Sequence, residues 1–252
     1  MKKNIAAFLS VILIIILSLF SFKGYSQNYH LVNPDIDQLA FTSSDELFRI
    51  NARRVFTDKS DLNDGSAFLY TTWRKGIVNF KNGKQFRDAD LEFNIVKNEL
   101  YFKRDGVANS FLEPVTSFCF FDTSATVPVI TVFRNGYPLF GEHTSGNFYH
   151  VLSMGPEVHF IKYISKTRRE VYEYGGVAKW EYISRQDAFL YDVKANALHL
   201  IRYDMQSIKN AIPAYAAGIE KWLKENKKRK SLSDEELIEI TSQINKQQLP
   251  GG

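Results

Sequence analysis

Cysteine and unbalanced charge are what this 252-residue sequence has least of. The lone Cys119 excludes an intramolecular disulfide, so stability must come from packing. Cys119 alternates with Val115, Ser117 and Phe121 along a strand-like run, which reads as a small buried apolar side chain rather than a reactive thiol. The formal net charge is only +4. Three of the cations, Lys2, Lys3 and Lys23, lie in the first 26 residues, and without them 29 basic side chains face 28 acidic ones. A near-neutral body has no field to steer polyanions, which argues against nucleic acid and anionic membrane surfaces as partners. No internal repeat of fixed period is present, which excludes a propeller or solenoid. No stretch reaches the specificity of a known catalytic or cofactor motif, and none implies a bound cofactor.

The one long hydrophobic run stands at the N-terminus. Lys2-Lys3 precede an apolar stretch from Ile5 to Phe22 whose centre is Val11–Leu17, and Gly24 and Ser26 place small residues before a cut after Ser26. That is the pattern of a cleaved signal peptide over residues 1–26, exporting the chain to the periplasm or the outer membrane. No cysteine stands at the cut to carry acyl chains, so membrane association after cleavage is at most peripheral.

The remaining 226 or so residues are long enough for a sizeable core. Residues 27–66 form a polar, irregular lead-in with one short helix, where Ser43 and Glu46 have capping-box spacing. Asp61-Leu-Asn63-Asp64-Gly65 has calcium-loop composition, but its glycine comes one residue early and no Glu closes the loop, so a turn explains it better. From residue 67 to 203, short runs with period 2 alternate with turn residues. Asn82-Gly83, Lys97-Asn98, Asn135-Gly136 and Lys194–Ala197 each read as the turn of a hairpin. Ten to fourteen strands result, too many for a flat sheet. Between residues 204 and 246 the period becomes 3.6: Ile208, Ile212, Tyr215, Ile219, Trp222 and Leu223 make one stripe, interrupted by Pro213, and Ser233–Glu236 caps a last helix carrying Leu237, Ile240 and Ile244. Residues 247–252 read as a frayed tail. The expected fold is mainly β (α+β): an antiparallel curved sheet or sandwich of consecutive hairpins, with a C-terminal helical pair packed on it.

Trp73, Gly76, Val78, Gly83, Leu91, Phe93, Asn94, Leu100 and Phe102, followed by two terminal amphipathic helices, resemble a group of uncharacterised exported β-rich proteins of Bacteroidota. A signal cleaved before Gln27 is similar to theirs as well. The resemblance implies an envelope setting and a β-rich fold; the group has no assigned activity to transfer.

Two sets of residues are candidates for function. His143, His150, His159 and Glu157 could serve catalysis in an envelope-polymer hydrolase. Their spacing matches no compact metal-ligand motif, so no metal site is expected. Ser145 and Ser153 lie near these histidines without a G-x-S-x-G elbow. Tyr163, Tyr172, Tyr174, Trp180 and Tyr182 lie among charged neighbours and could present an aromatic binding surface. The basic run Lys221–Lys230 is accounted for by a helix C-terminus facing the acids Asp234–Glu236 at the next N-terminus. The sequence therefore favours a non-enzymatic binding or assembly component of the cell envelope, recognising another envelope protein or a glycan. A periplasmic carrier of a lipid or other apolar ligand is the further alternative.

Overall fold

The structure, a computed structural model, describes residues 52–54, 66–122, 129–172, 176, 178–226 and 231–249. The expected signal peptide, the helix at Ser43–Ile50, the Asp61–Gly65 turn, Tyr174 and Lys227–Lys230 lie outside the described residues.

Eleven antiparallel strands form one curved, open sheet. In chain order they are β1 (Ala52–Arg54), β2 (Arg74–Phe80), β3 (Gln85–Asn94), β4 (Glu99–Arg104), β5 (Val107–Phe111), β6 (Val115–Asp122), β7 (Val129–Arg134), β8 (Tyr149–Ser153), β9 (Val158–Tyr172), β10 (Ala178–Asp192) and β11 (Ala197–Ile201). Their order in the sheet is β1-β5-β4-β3-β2-β6-β7-β8-β9-β10-β11. Two meanders thus meet at β2, which pairs with β3 on one side and β6 on the other.

That order forces the curl. β5 and β6 are four strand spacings apart, roughly 19 Å in a flat sheet. Only residues 112–114 join them, and Phe111 to Val115 can span at most about 15 Å. The first meander must therefore roll back toward β6. Phenylalanines fill the space it encloses: the Phe111 ring on β5 lies 5.4 Å from Phe80 on β2, and Phe93 on β3 lies 5.1 Å from Phe118 on β6 and 5.3 Å from Phe133 on β7. Lys81 N–H donates to the Pro114 carbonyl at 2.8 Å, which closes the seam.

Three of the four expected hairpins form. Gly83 turns β2 into β3 at φ +80°, a conformation that glycine adopts without the Cβ penalty. Asn98 and Asn196 turn the β4 and β11 hairpins. Asn135-Gly136 differs: β7 and β8 do pair, but residues 135–148 intervene. The Asn135 amide donates to the Val115 carbonyl and Gly136 N–H to the Ser145 carbonyl, each at 2.8 Å. Partners outside the turn lead the chain away instead of reversing it.

Helices α1 (Met205–Ala211), α2 (Ala216–Glu225) and α3 (Asp234–Asn245) cover the other end of the sheet, and a 3-10 turn at Pro213–Tyr215 lies between α1 and α2. The whole expected stripe is buried, packed against Val158, Phe160, Ala188, Leu190 and Ile201 of the sheet. Ser233 and Glu236 form the capping box of α3. Asn245, the last residue of α3, continues the sheet with its side chain. Its Oδ1 accepts from Glu157 N–H at 3.0 Å and Val158 N–H at 2.9 Å, and its Nδ2 donates to the Val158 carbonyl at 2.8 Å. Leu249, within the tail expected to fray, is buried in this same core.

Candidate functional site

β9 and β10 are each 15 residues long and pair with one another along their whole length. Their neighbours are shorter. β8 reaches β9 only from Phe160 to Lys162, and β11 reaches β10 only from Ala188 to Asp192. Beyond those points, among the described residues, Tyr163–Tyr172 and Ala178–Asp187 pair with nothing but each other. The result is a two-stranded arm about 33 Å long.

The root of the arm is anchored. Ile164 packs against the phenylalanine core, Tyr182 against Phe68 and Tyr101, and the Lys166 ammonium donates to the Ser66 and Phe68 carbonyls. Outward from Thr167 the described side chains of the ribbon are exposed except at Val171 and Tyr182. Period 2 sorts its side chains. Tyr172 stands opposite Ala178, Trp180 opposite Glu170 and Tyr182 opposite Arg168, so Tyr172, Trp180 and Tyr182 share one face. Tyr172 is 70% and Trp180 37% exposed, and the Arg168 guanidinium lies 4.5 Å from the Trp180 ring centre. Ile183, 42% exposed, projects from the opposite face. Sequence reading selected the three aromatics but missed Arg168 and Ile183, since a basic residue in a polar strand has no local mark of cross-strand stacking.

Tyr163 belongs elsewhere. It lies on the face opposite to Tyr172 and Trp180, beneath the long β7–β8 connection. There its ring lies 4.1 Å from His143, whose Nδ1 is hydrogen-bonded to the Tyr149 hydroxyl at 2.9 Å. Burial lowers the pKa of His143 and pushes the Tyr149 phenol up to about 12.

The three candidate histidines do not converge. His159 shares the face of Tyr163, whereas His150 pairs with Lys162 and so faces the other way, its ring 5.4 Å from Phe133. His159 is saturated: one ring nitrogen lies 3.0 Å from the Gly155 carbonyl and so must be the donor, which leaves the other to accept from the Tyr137 hydroxyl at 3.1 Å. Glu157 is turned away, accepting from Tyr215 at 2.6 Å and pairing with Lys194 at 2.8 Å. These bonds hold its carboxyl below the usual carboxylate range. Among the described residues no group of three or more His, Cys, Asp or Glu side chains could hold a metal ion.

Burial holds both His150 and His159 at a pKa of about 4. An imidazole whose folded pKa lies below the unfolded value near 6.5 takes up its proton more readily when the chain unfolds. Its stabilisation is complete above pH 6.5 and is lost as the pH falls toward 4. Glu92 acts in the opposite sense, because burial raises its carboxyl to about 7, but it is half-exposed and solvent screens it. We expect stability to fall by roughly 3 kcal/mol between pH 7 and pH 4. Urea midpoints across that range should flatten when His150 and His159 are both replaced by Gln; an unchanged slope would assign the loss to other groups.

Comparison with known proteins gives no relative: no family model, curated protein or solved structure matches the chain.

Proposed function

We propose that this protein is an exported component of the cell envelope that acts by binding, and that the β9–β10 arm is its docking element. The observation that carries this reading is the arm itself. A two-stranded ribbon is at best marginal in water. This one carries exposed Tyr172, Trp180 and Ile183 where solvent-facing positions would ordinarily be polar. Large aromatics and Arg are the side chains that dominate protein recognition, and free strand edges accept an extended segment by backbone pairing. The partner is accordingly another envelope protein presenting an extended segment. Charged residues along the arm, with Arg169 3.3 Å from Glu181 and Arg185 2.9 Å from Asp187, guard its edges against indiscriminate pairing until that segment arrives. Export rests on the Lys2-Lys3 and Val11–Leu17 pattern.

The test is in-cell crosslinking from position 170, which is exposed opposite Trp180, in the parent and in a variant with Tyr172→Ala and Trp180→Ala combined. Both side chains are exposed, so the double variant should melt within about 1 kcal/mol of the parent. It should also lose one specific crosslinked partner, and a peptide from that partner's contact strand should bind the parent tenfold or more tighter than the variant. A partner retained at full strength by the double variant overturns the reading. Binding of a purified envelope glycan, lost in the same variant, would replace the protein partner with a sugar.

A further inference from the structure

The bonds made by Asn245 fix which backbone groups of the arm face outward. Val158 N–H donates to Asn245 and the Val158 carbonyl accepts from it, whereas the Glu157 carbonyl accepts from Val193 N–H at 3.0 Å. Even-numbered residues of β9 therefore turn their N–H and carbonyl away from β10, and odd-numbered residues bond to it. The register runs without a shift from Val158 opposite Asp192 to Tyr172 opposite Ala178, so the same alternation holds on β10 out to the tip. Trp180, Ser184 and Gln186 direct their backbone groups to the outer edge, beyond the end of β11 at Ile201. Glu181, Ile183 and Arg185 alternate with them on the other face, and all three side chains are exposed.

The order Glu181, Ile183, Arg185 is complementary to itself. Two copies laid antiparallel, edge to edge, with a two-fold axis at Ile183 bring Glu181 opposite Arg185 twice and Ile183 opposite its own copy. Trp180 then stands opposite Gln186, and their outward backbone groups exchange hydrogen bonds across the junction. Other registers fail. The axis must pass through a residue, or outward backbone groups would meet inward ones. At Glu181 or Arg185 it sets like charges opposite, at Tyr182 it sets Glu181 against Ile183, and at Ser184 it sets Glu181 against Asp187. On the β9 edge, the register that joins Arg168 to Glu170 brings Arg169 against itself. Pairing on β10 ends at Gln186, because Ile201 already stands opposite Ala188.

We propose that two copies of this chain associate through their β10 edges in this register, forming a four-stranded antiparallel arm with its two-fold axis at Ile183. The contact is isologous and closes on itself, so it gives a dimer and not a filament. In it Glu181 lies between Arg169 of its own hairpin, 3.3 Å away, and Arg185 of the second copy. The dimer goes beyond the docking role of the arm: it leaves the β9 edge and Tyr172 open, and so neither requires nor blocks the envelope partner.

Sedimentation of the purified protein at about 1 to 300 µM should show a monomer–dimer equilibrium. Glu181→Arg and Arg185→Glu should each be monomeric alone, because each sets like charges opposite. An equimolar mixture of the two should dimerise as the parent does, since every pair is again of opposite sign, and that recovery establishes that both variants fold. Ile183→Cys should form an intermolecular disulfide under mild oxidation, since the Cα atoms of a non-hydrogen-bonded pair lie about 4.5 Å apart. Ser184→Cys, which stands opposite Tyr182, should crosslink at least about tenfold more slowly. The native Cys119 is buried and does not compete. A parent that stays monomeric throughout, single charge variants that dimerise as well as the parent, or equal disulfide rates at positions 183 and 184 would each overturn the proposal.

Discussion

Replacing Gly76 with Ala should destabilise the protein by about 3 kcal/mol or more, enough to remove much of the stability of an ordinary domain. A Cβ on Gly76 would lie 2.1 Å from the Cys119 carbonyl oxygen and 2.7 Å from Leu91 Cδ1. Leu91 can rotate, but the Cys119 carbonyl belongs to β6 and sits beside Ile77 in the β2–β6 ladder. Relief requires moving one of the two strands at the junction of the meanders. β2 is already irregular there, its register with β3 shifting between Gly76 and Val78, so the strand has little room to adjust. Urea titration of Gly76→Ala followed by far-ultraviolet circular dichroism measures the loss. A midpoint equal to that of the parent would mean that the two strands separate at almost no cost.

Asn245→Ala should cost about 3 kcal/mol by a different route. Three backbone groups at the start of β9 rely on this one side chain, and the neighbouring Gly155 is packed so closely against it that a Cβ there would lie 2.3 Å from Asn245 Cγ. Alanine would leave two donors and an acceptor without partners at a place where α3 and the sheet meet. Asn245→Asp separates the contributions, because it keeps the acceptor for Glu157 and Val158 and loses only the donor to the Val158 carbonyl. Chemical denaturation should rank the parent above Asp and Asp above Ala. If Ala and the parent coincide, water has replaced all three bonds and the clamp contributes nothing.

What could be read from the sequence was what neighbouring residues decide. Asn82-Gly83 reverses the chain because its backbone preference and the flanking period of 2 agree, and the Ser233–Glu236 cap forms within one helical turn. Asn135-Gly136 has the same local chemistry, yet Val115 and Ser145 take its hydrogen bonds. The histidines illustrate the same limit. Adjacent positions on a strand face opposite ways, so the strand register, which only the assembled sheet defines, separates His150 from His159, while His143 reaches Tyr163 from the β7–β8 connection. Trp180 and Tyr172 were legible as aromatics among charges, but their exposure follows from the shortness of β8 and β11, elements elsewhere in the chain.

The three residues between Phe111 and Val115 also govern how the molecule can come apart. Phe93 on one meander rests against Phe118 and Phe133 on the other, and the short link holds both meanders to a single curvature. Neither could relax toward flatness without opening the shared interior, so the two halves have no separate folded states to populate. The link ties their fates together, and we expect the sheet to melt in one cooperative transition, with calorimetric and van't Hoff enthalpies equal, rather than by the successive loss of two modules.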